Sequence, residues 1–309
     1  LNIVFFGTSL FAAKVLESLI VNGKAVVAVV TRPDKSKGRH LHASAPPVKE
    51  TALKFKLPVY QPEKASAPEF AEILKAFHAD LFVVVAYGEI IKKNLLEMPR
   101  LGCINIHASL LPKFRGAAPI QRSLMAGEKE TGITIIEMAP QMDAGDVLAI
   151  EAIPIPAEMT FGELEDNLCD LGIKLLFEVI RQFQENKVVK TPQDHTRATL
   201  APKMIPEDEK IDWQRSAEEI HNQIRALSPF PGAWTQVVVG SDVKRLKIKK
   251  AVVVEEGGDP RAILRFGKEG WVIACGKGAL RLIQVQLEGK KAMSAEECIR
   301  GIHHSVSVK

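Results

Sequence analysis

Apolar and polar positions alternate along this chain in blocks. Ile3–Phe6 is an unbroken apolar run, Ala25–Val30 is a second, and Leu81–Ala86 is a third. None of them alternates apolar with polar, which is the signature of strands covered on both faces. Gly102–Ile106 and Gly132–Met138 read as two further strands. Between these runs the apolar residues recur at helical spacing, over Phe11–Ile20, Val48–Phe55, Glu69–Phe77 and Pro119–Ala126. Strands alternating with helices predict an α/β fold with a mostly parallel sheet.

Thr160-x-x-Glu163 is a capping box. It opens a long helix whose stripe runs from Leu164 to Phe183, and that stripe predicts packing. Lys187–Pro206 is polar and carries Pro192, Pro202 and Pro206, the composition of a linker. Beyond it the pattern changes. Ser216-x-x-Glu219 caps one helix to about Leu227. Short β runs then follow at Thr235–Val239, Val243–Ile248, Ala262–Phe266, Trp271–Ala274 and Leu280–Val285, punctuated by glycines. That spacing predicts a small barrel. The expected organisation is a first domain over 1–189, a linker over 190–206 and a second domain over 207–309.

Composition narrows the class. The 309 residues are 46% hydrophobic and 25% charged, an ordinary globular balance for about two domains. The apolar runs are all shorter than the ~18 residues of a membrane span. Leu1–Phe6 lacks a basic leader and a cleavage site, so it reads as a first strand and not as a signal peptide. A cytoplasmic, monomeric protein with no membrane partner is expected. The four cysteines are scattered without a C-x-x-C pair, as reduced thiols would be. His303-His304 is the one adjacent histidine pair, and no metal site is expected there or elsewhere. The net charge of +4 and pI of about 8.8 permit a nucleic-acid partner without requiring one.

Several common chemistries are excluded by absent motifs. Gly7-Thr8-Ser9 is a single-glycine turn, short of the G-x-G-x-x-G that lets a pyrophosphate reach the backbone. The phosphate loop, the G-x-S-x-G elbow and H-E-x-x-H are missing. What stands out is Asn105-Ile106-His107-Ala108-Ser109-Leu110-Leu111-Pro112, at the carboxyl end of a predicted strand. Residues 105 and 107 share one face of a strand, so an amide and an imidazole converge there. The imidazole can exchange protons near neutrality, and the amide can donate to a developing oxyanion. Met142-Asp143-Ala144-Gly145-Asp146 follows the next strand and offers a carboxylate to the same region. The residues alone leave open a satisfied histidine with a turn asparagine. They also leave open Asp143 and Asp146 as ordinary turn residues.

Two basic segments complete the inventory. Thr31–Pro47 contains Arg32, Lys35, Lys37, Arg39, His40 and His42. Lys244-Arg245-Leu246-Lys247-Ile248-Lys249-Lys250 carries five cations on a predicted strand. Either can be a solvated face. A loop that orders on RNA and a track for the phosphate backbone are the functional readings.

The Asn105–Pro112 segment, Arg115-Gly116-Ala117-Ala118-Pro119-Ile120 and Asp143-Ala144-Gly145-Asp146 together resemble the folate-dependent formyltransferase family. Phe6-Gly7-Thr8, Thr31-Arg32-Pro33-Asp34, Pro47-Val48-Lys49, Val84–Gly88 and Lys290–Ser294 are similar to the branch acting on methionyl-tRNA. The resemblance runs the length of the chain. It implies a Rossmann-like domain followed by an OB-like barrel, with Asn105, His107 and Asp143 as the catalytic trio. Ser109, Leu110, Leu111 and Pro112, with the Ala86-Tyr87-Gly88 backbone, would border the folate. The donor it implies is 10-formyltetrahydrofolate and the acceptor an initiator methionyl-tRNA, with no metal. Lys35, Lys37 and Arg39 would meet the acceptor end of the tRNA. Lys244, Arg245, Lys247 and Lys249 would meet its phosphates. Formyl transfer to a small amine (glycinamide ribonucleotide or an amino-sugar nucleotide) is the first alternative. A non-catalytic RNA-binding protein is the second.

Overall fold

The computed structural model describes residues 1–37, 42–302 and 304–309. They divide into two compact units. The first comprises Leu1–Pro119, Glu130–Ile153 and Glu165–Pro202. The second comprises Ile120–Lys129, Pro154–Leu164 and Lys203–Lys309.

The first unit begins β1 (Asn2–Gly7), α1 (Leu10–Val21), β2 (Ala25–Val30), then a ribbon of β3 (Lys35–Lys37) and β4 (His42–Ser44). It continues through α2 (Pro47–Lys54), β5 (Val59–Tyr60), α3 (Pro68–Lys75), β6 (Leu81–Val85), α4 (Lys93–Leu96) and β7 (Cys103–His107). The chain then passes through α5 (Pro119–Met125), β8 (Glu130–Glu137), β9 (Val147–Pro154) and α6 (Phe161–Gln184). The sheet order is β5-β2-β1-β6-β7-β8-β9. β1 pairs in parallel with β2 and β6, and β6 with β7, whereas β8 runs antiparallel to β7. The order reverses between β1 and β6, which is where ligands bind in such sheets.

The unbroken apolar runs are buried as their pattern predicts. Val4, Phe6, Ala28, Val30, Phe82 and Val84 form one side of the core. Each such side chain contributes roughly 1.5–3 kcal/mol on burial. Ser9 caps α1 by accepting from the Ala12 N–H at 3.2 Å. In α6, Gly172 faces Ile106 so closely that an added Cβ would lie 3.2 Å from the Ile106 methyl. Helix α6 thus covers the Ile106 face of β7. By strand alternation, Asn105 and His107 point to the other. The chain from Lys190 to Pro202 is also fixed to this unit. Val147 and Thr191 exchange backbone hydrogen bonds at 2.8 and 2.9 Å, and the Ala201 N–H donates to the Arg115 carbonyl at 2.7 Å.

The second unit contains α7 (Ala217–Ala226), β10 (Ala233–Val239), β11 (Asp242–Val254), β12 (Ile263–Gly267), β13 (Gly270–Ala274) and β14 (Ala279–Leu287). β15 (Met293–Ser294), α8 (Ala295–Arg300) and β16 (Val306–Val308) complete it. The antiparallel order is β12-β13-β14-β11-β10-β16, with β15 on β14. The 13-residue β11 pairs with both β10 and β14, and its register shifts around Lys250. Such bulges bend a strand, and here they let β11 curl into an OB-like barrel. Trp213, Trp271, Leu246, Ile248, Leu280 and Val285 fill the barrel. The indole N–H of Trp213 donates to the Thr235 hydroxyl at 3.0 Å. Both capping boxes expected from sequence form, at Thr160/Glu163 and Ser216/Glu219.

Candidate active site

His107 ends β7 and is 5% exposed, while Asp143, on the loop between β8 and β9, is 14% exposed. The His107 Nε2 lies 2.9 Å from the Phe114 carbonyl oxygen. A carbonyl only accepts, so Nε2 carries the proton. That contact fixes the ring and turns Nδ1 towards Asp143, whose Oδ2 is 3.6 Å away. Asp143 Oδ2 also accepts from the Gly116 N–H at 2.8 Å. Asp143 itself has φ +50°, an uncommon left-handed backbone for a residue other than glycine. Asn105 is half-buried on the same face of β7 as His107, and its amide makes no hydrogen bond among the described residues. A buried imidazole with one settled nitrogen, a carboxylate at the other and an amide left for a ligand therefore share one region.

Residues outside the sequence-derived set hold this arrangement. Gln193 is buried and donates through Nε2 to the carbonyls of Asp143 at 2.9 Å and Gly145 at 2.7 Å. Its Oε1 accepts from Arg115 Nε at 3.2 Å and Nη2 at 2.7 Å. Arg115 Nη2 also meets His195 Nδ1 at 2.9 Å. The Phe114 N–H donates to the Thr199 hydroxyl at 2.8 Å, holding the segment that locks His107. In sequence Gln193, His195 and Thr199 sit in a polar stretch without periodicity, which reads only as a linker.

The Ser109–Pro112 turn packs between these elements. Ser109 is enclosed and its hydroxyl donates to the Lys113 carbonyl at 2.6 Å. The Thr134 hydroxyl donates to the Ser109 carbonyl at 2.7 Å and accepts from the Leu111 N–H at 3.1 Å. Leu111 is buried, Leu110 and Pro112 are half-buried, and the Leu111–Pro112 peptide is cis. At the end of β6, Ala86 has φ +42° and Gly88 φ +83°, and both are exposed. Tyr87 between them is buried edge-on against Phe6, with ring centroids 5.6 Å apart. Its carbonyl accepts from the Thr8 hydroxyl at 2.8 Å, tying the ends of β1 and β6 together at the reversal point. Exposed backbone here leaves both donors and acceptors open to a ligand. Among the described residues no group of three or more His, Cys, Asp or Glu side chains is placed to hold a metal ion. None of their helices is long and apolar enough to cross a membrane.

The basic segments are placed as follows. Lys35 and Lys37 lie on β3, paired with Ser44 and His42 of β4, while Arg39 lies outside the described residues, as does His303. At the base of that loop Arg32 is held by Glu89 at 2.7 Å and Asp34 by Lys49 at 2.7 Å. On β11, Arg245, Lys247 and Lys249 share the face away from the barrel core, and Lys244 lies on the side of Leu246. Lys244, Arg245 and Lys247 help line an open groove of about 400 Å³. The Arg245 guanidinium stacks over Trp234, 4.2 Å from the ring centroid.

Comparisons with known proteins agree with this architecture. A family described as "Formyl transferase" matches residues 1–180, and "Formyl transferase, C-terminal domain" matches residues 203–303. The chain is 51% identical over 303 residues to the methionyl-tRNA formyltransferase of Protochlamydia amoebophila, covering 98% of this chain and 95% of that one. It is 43% identical to that of Moorella thermoacetica, covering 97% and 96%. Among solved structures, WlaRD, a sugar 3N-formyl transferase, superposes with a TM-score of 0.67 at 20% identity, over 94% of this chain and 99% of that one. HypX from Aquifex aeolicus, solved in complex with tetrahydrofolic acid, gives 0.65 at 18%, over 96% of this chain and 46% of that one. At such identities the two structures speak for the fold. With both family domains in chain order and near-full-length relatives at this identity, the chain belongs to the formyl transferase family, in its methionyl-tRNA formyltransferase branch.

Proposed function

We infer that this protein transfers the formyl group of 10-formyltetrahydrofolate to the free α-amine of an initiator methionyl-tRNA. It does so in the cytoplasm and as a monomer. The observation that carries the catalytic reading is the His107 ring held at Nε2 by the Phe114 carbonyl, with Nδ1 facing Asp143.

The chemistry follows from that geometry. The amine nitrogen bonds to the formyl carbon, the bond from that carbon to N10 breaks, and the amine proton must reach N10. When His107 takes the proton at Nδ1 it becomes an imidazolium whose two N–H groups already face acceptors. One is the Phe114 carbonyl at 2.9 Å and the other the Asp143 carboxylate at 3.6 Å. His107 and Asp143 together can therefore accept the proton and return it. The Asn105 amide, on the same strand face, donates to the formyl oxygen as negative charge develops there, a contact worth roughly 3–4 kcal/mol when preorganised. The co-substrate supplies an activated formamide. The exposed Ala86 and Gly88 backbone holds its heterocycle, Leu110 and Pro112 border it, and Ser109 and Leu111 set the turn from behind.

The basic loop with Lys35, Lys37 and Arg39 receives the acceptor end of the tRNA. Arg245 and Lys244, which help line the groove beside β11, meet phosphates. The test is formylation of methionyl-tRNA in competition with glycinamide ribonucleotide and amino-sugar nucleotides. Label should enter the tRNA alone. Label entering a small amine in preference would overturn the choice of acceptor.

A further inference from the structure

The run of cations on β11 does something that a phosphate track does not need. Lys249 Nζ donates to the Pro229 carbonyl at 2.6 Å and reaches the Pro231 carbonyl at 3.4 Å. Lys247 Nζ donates to the Pro231 carbonyl at 2.9 Å. Both ammonium groups thus point into the Ser228-Pro229-Phe230-Pro231-Gly232 loop. Partial burial, with Lys247 beside it, lowers the pKa of Lys249, so this placement carries an electrostatic cost. The loop is tied at its other points too. The Gly162 N–H donates to the Ser228 carbonyl at 3.1 Å, and the Gly232 N–H closes the loop on the Leu227 carbonyl at 2.8 Å. Gly232 has φ +91°, and an added Cβ would lie 2.6 Å from Lys249 Nζ, so the lysine seats against bare backbone.

At the centre of this clamped loop Phe230 is 76% exposed, the most exposed large apolar side chain among the described residues. A flexible loop would fold such a ring down onto apolar neighbours. Here the carbonyls on both sides are fixed and the ring is held out in water. The loop from 227 to 232 contains no acidic residue, and two cations sit immediately behind its tip. A rigid aromatic face in a positive field suits one class of occupant above others: an unstacked base of a polyanion.

We propose that Phe230 is a stacking platform for one unpaired nucleobase of the RNA substrate, held in place by Lys247 and Lys249 through the flanking carbonyls. The proposal rests on the reading that the substrate is a methionyl-tRNA. It assigns the two lysines to positioning the ring, and it adds a contact whose strength is independent of ion release.

That last property gives the test. Binding of methionyl-tRNA to the full-length protein is measured for wild type and for F230A, F230L and F230W, at several salt concentrations between about 50 and 200 mM. F230A and F230L should weaken binding by roughly 5- to 100-fold at every salt concentration, leaving the slope of log Kd against log salt unchanged, and F230W should bind within about threefold of wild type. Leucine keeps the apolar bulk and removes the aromatic face. F230L binding like wild type would overturn the proposal, as would a loss that alters the salt slope. Because the ring is exposed, thermal melting of the variants should match wild type. Formyl transfer by the wild type to the same tRNA is scored separately. Its absence would sink the substrate reading, whereas its presence with F230L unaffected would sink only the stacking platform.

Discussion

Replacing Asp143 by asparagine removes one charge and little else. In D143N the side-chain amide oxygen can still accept from the Gly116 N–H, which meets Asp143 Oδ2 at 2.8 Å, and Gln193 still holds the residue's carbonyl at 2.9 Å. The loop should therefore keep its place. What disappears is the carboxylate 3.6 Å from His107 Nδ1. At that separation a unit charge pair in an effective dielectric of ~20 is worth about 5 kcal/mol, an upper bound on the change. Asp143 is 14% exposed, so water screens part of this, and the amide dipole replaces another part. The stabilisation lost for the developing charge is therefore smaller than this bound. The expected result is a fall in kcat of roughly 100- to 1000-fold, with KM for the folate changed by less than about threefold. The assay is steady-state formyl transfer with both substrates varied, beside a thermal melt. A D143N enzyme that melts like wild type and keeps kcat within about fivefold would refute the assignment of this carboxylate.

Three further outcomes are expected. Q193A should leave buried Arg115 without its glutamine acceptor and cost about 1–3 kcal/mol in a melt. Q193E restores an acceptor for Arg115 but supplies no donor to the Asp143 and Gly145 carbonyls, so it should recover stability without recovering kcat. Recovery of both would show that Gln193 does not position the loop. G145A places a Cβ against the Glu137 carbonyl and should cost about 2–4 kcal/mol, with activity lost in parallel; a wild-type melting temperature would contradict the close approach. Burial raises the pKa of all four thiols, Cys275 to about 12 and Cys169 to about 11, so at about pH 8 the native protein should react only slowly with a thiol reagent, and fast labelling before unfolding would contradict it.

The parts of this molecule that were legible in sequence are those governed by local periodicity. Strands β1, β2 and β6 declare themselves because burial on both faces leaves no room for polar residues. The pairing of Asn105 with His107 follows from the two-residue repeat of a strand. The boxes at Thr160 and Ser216 follow from one helical turn. The remainder depends on partners far apart in the chain. Gln193 reaches Asp143 across 50 residues, and Phe114 is tied to Thr199 across 85. Neither contact leaves a periodic trace. The alternating β9 was not anticipated, nor was the antiparallel direction of β8, because a short apolar run does not encode its direction. Lys247 and Lys249 show the same limit. Their charge is legible, but the proline carbonyls that accept their hydrogen bonds are not.

We propose that Asn105, His107 and Asp143 catalyse direct transfer of formyl from folate to a methionyl-tRNA amine. It is tested most directly by following labelled formyl from 10-formyltetrahydrofolate to methionyl-tRNA, with wild type and His107→Ala side by side. Transfer by wild type and a fall of roughly 100-fold or more in a variant that still melts cooperatively is the predicted result. Undiminished transfer by that variant, or no transfer by folded wild type, would contradict it.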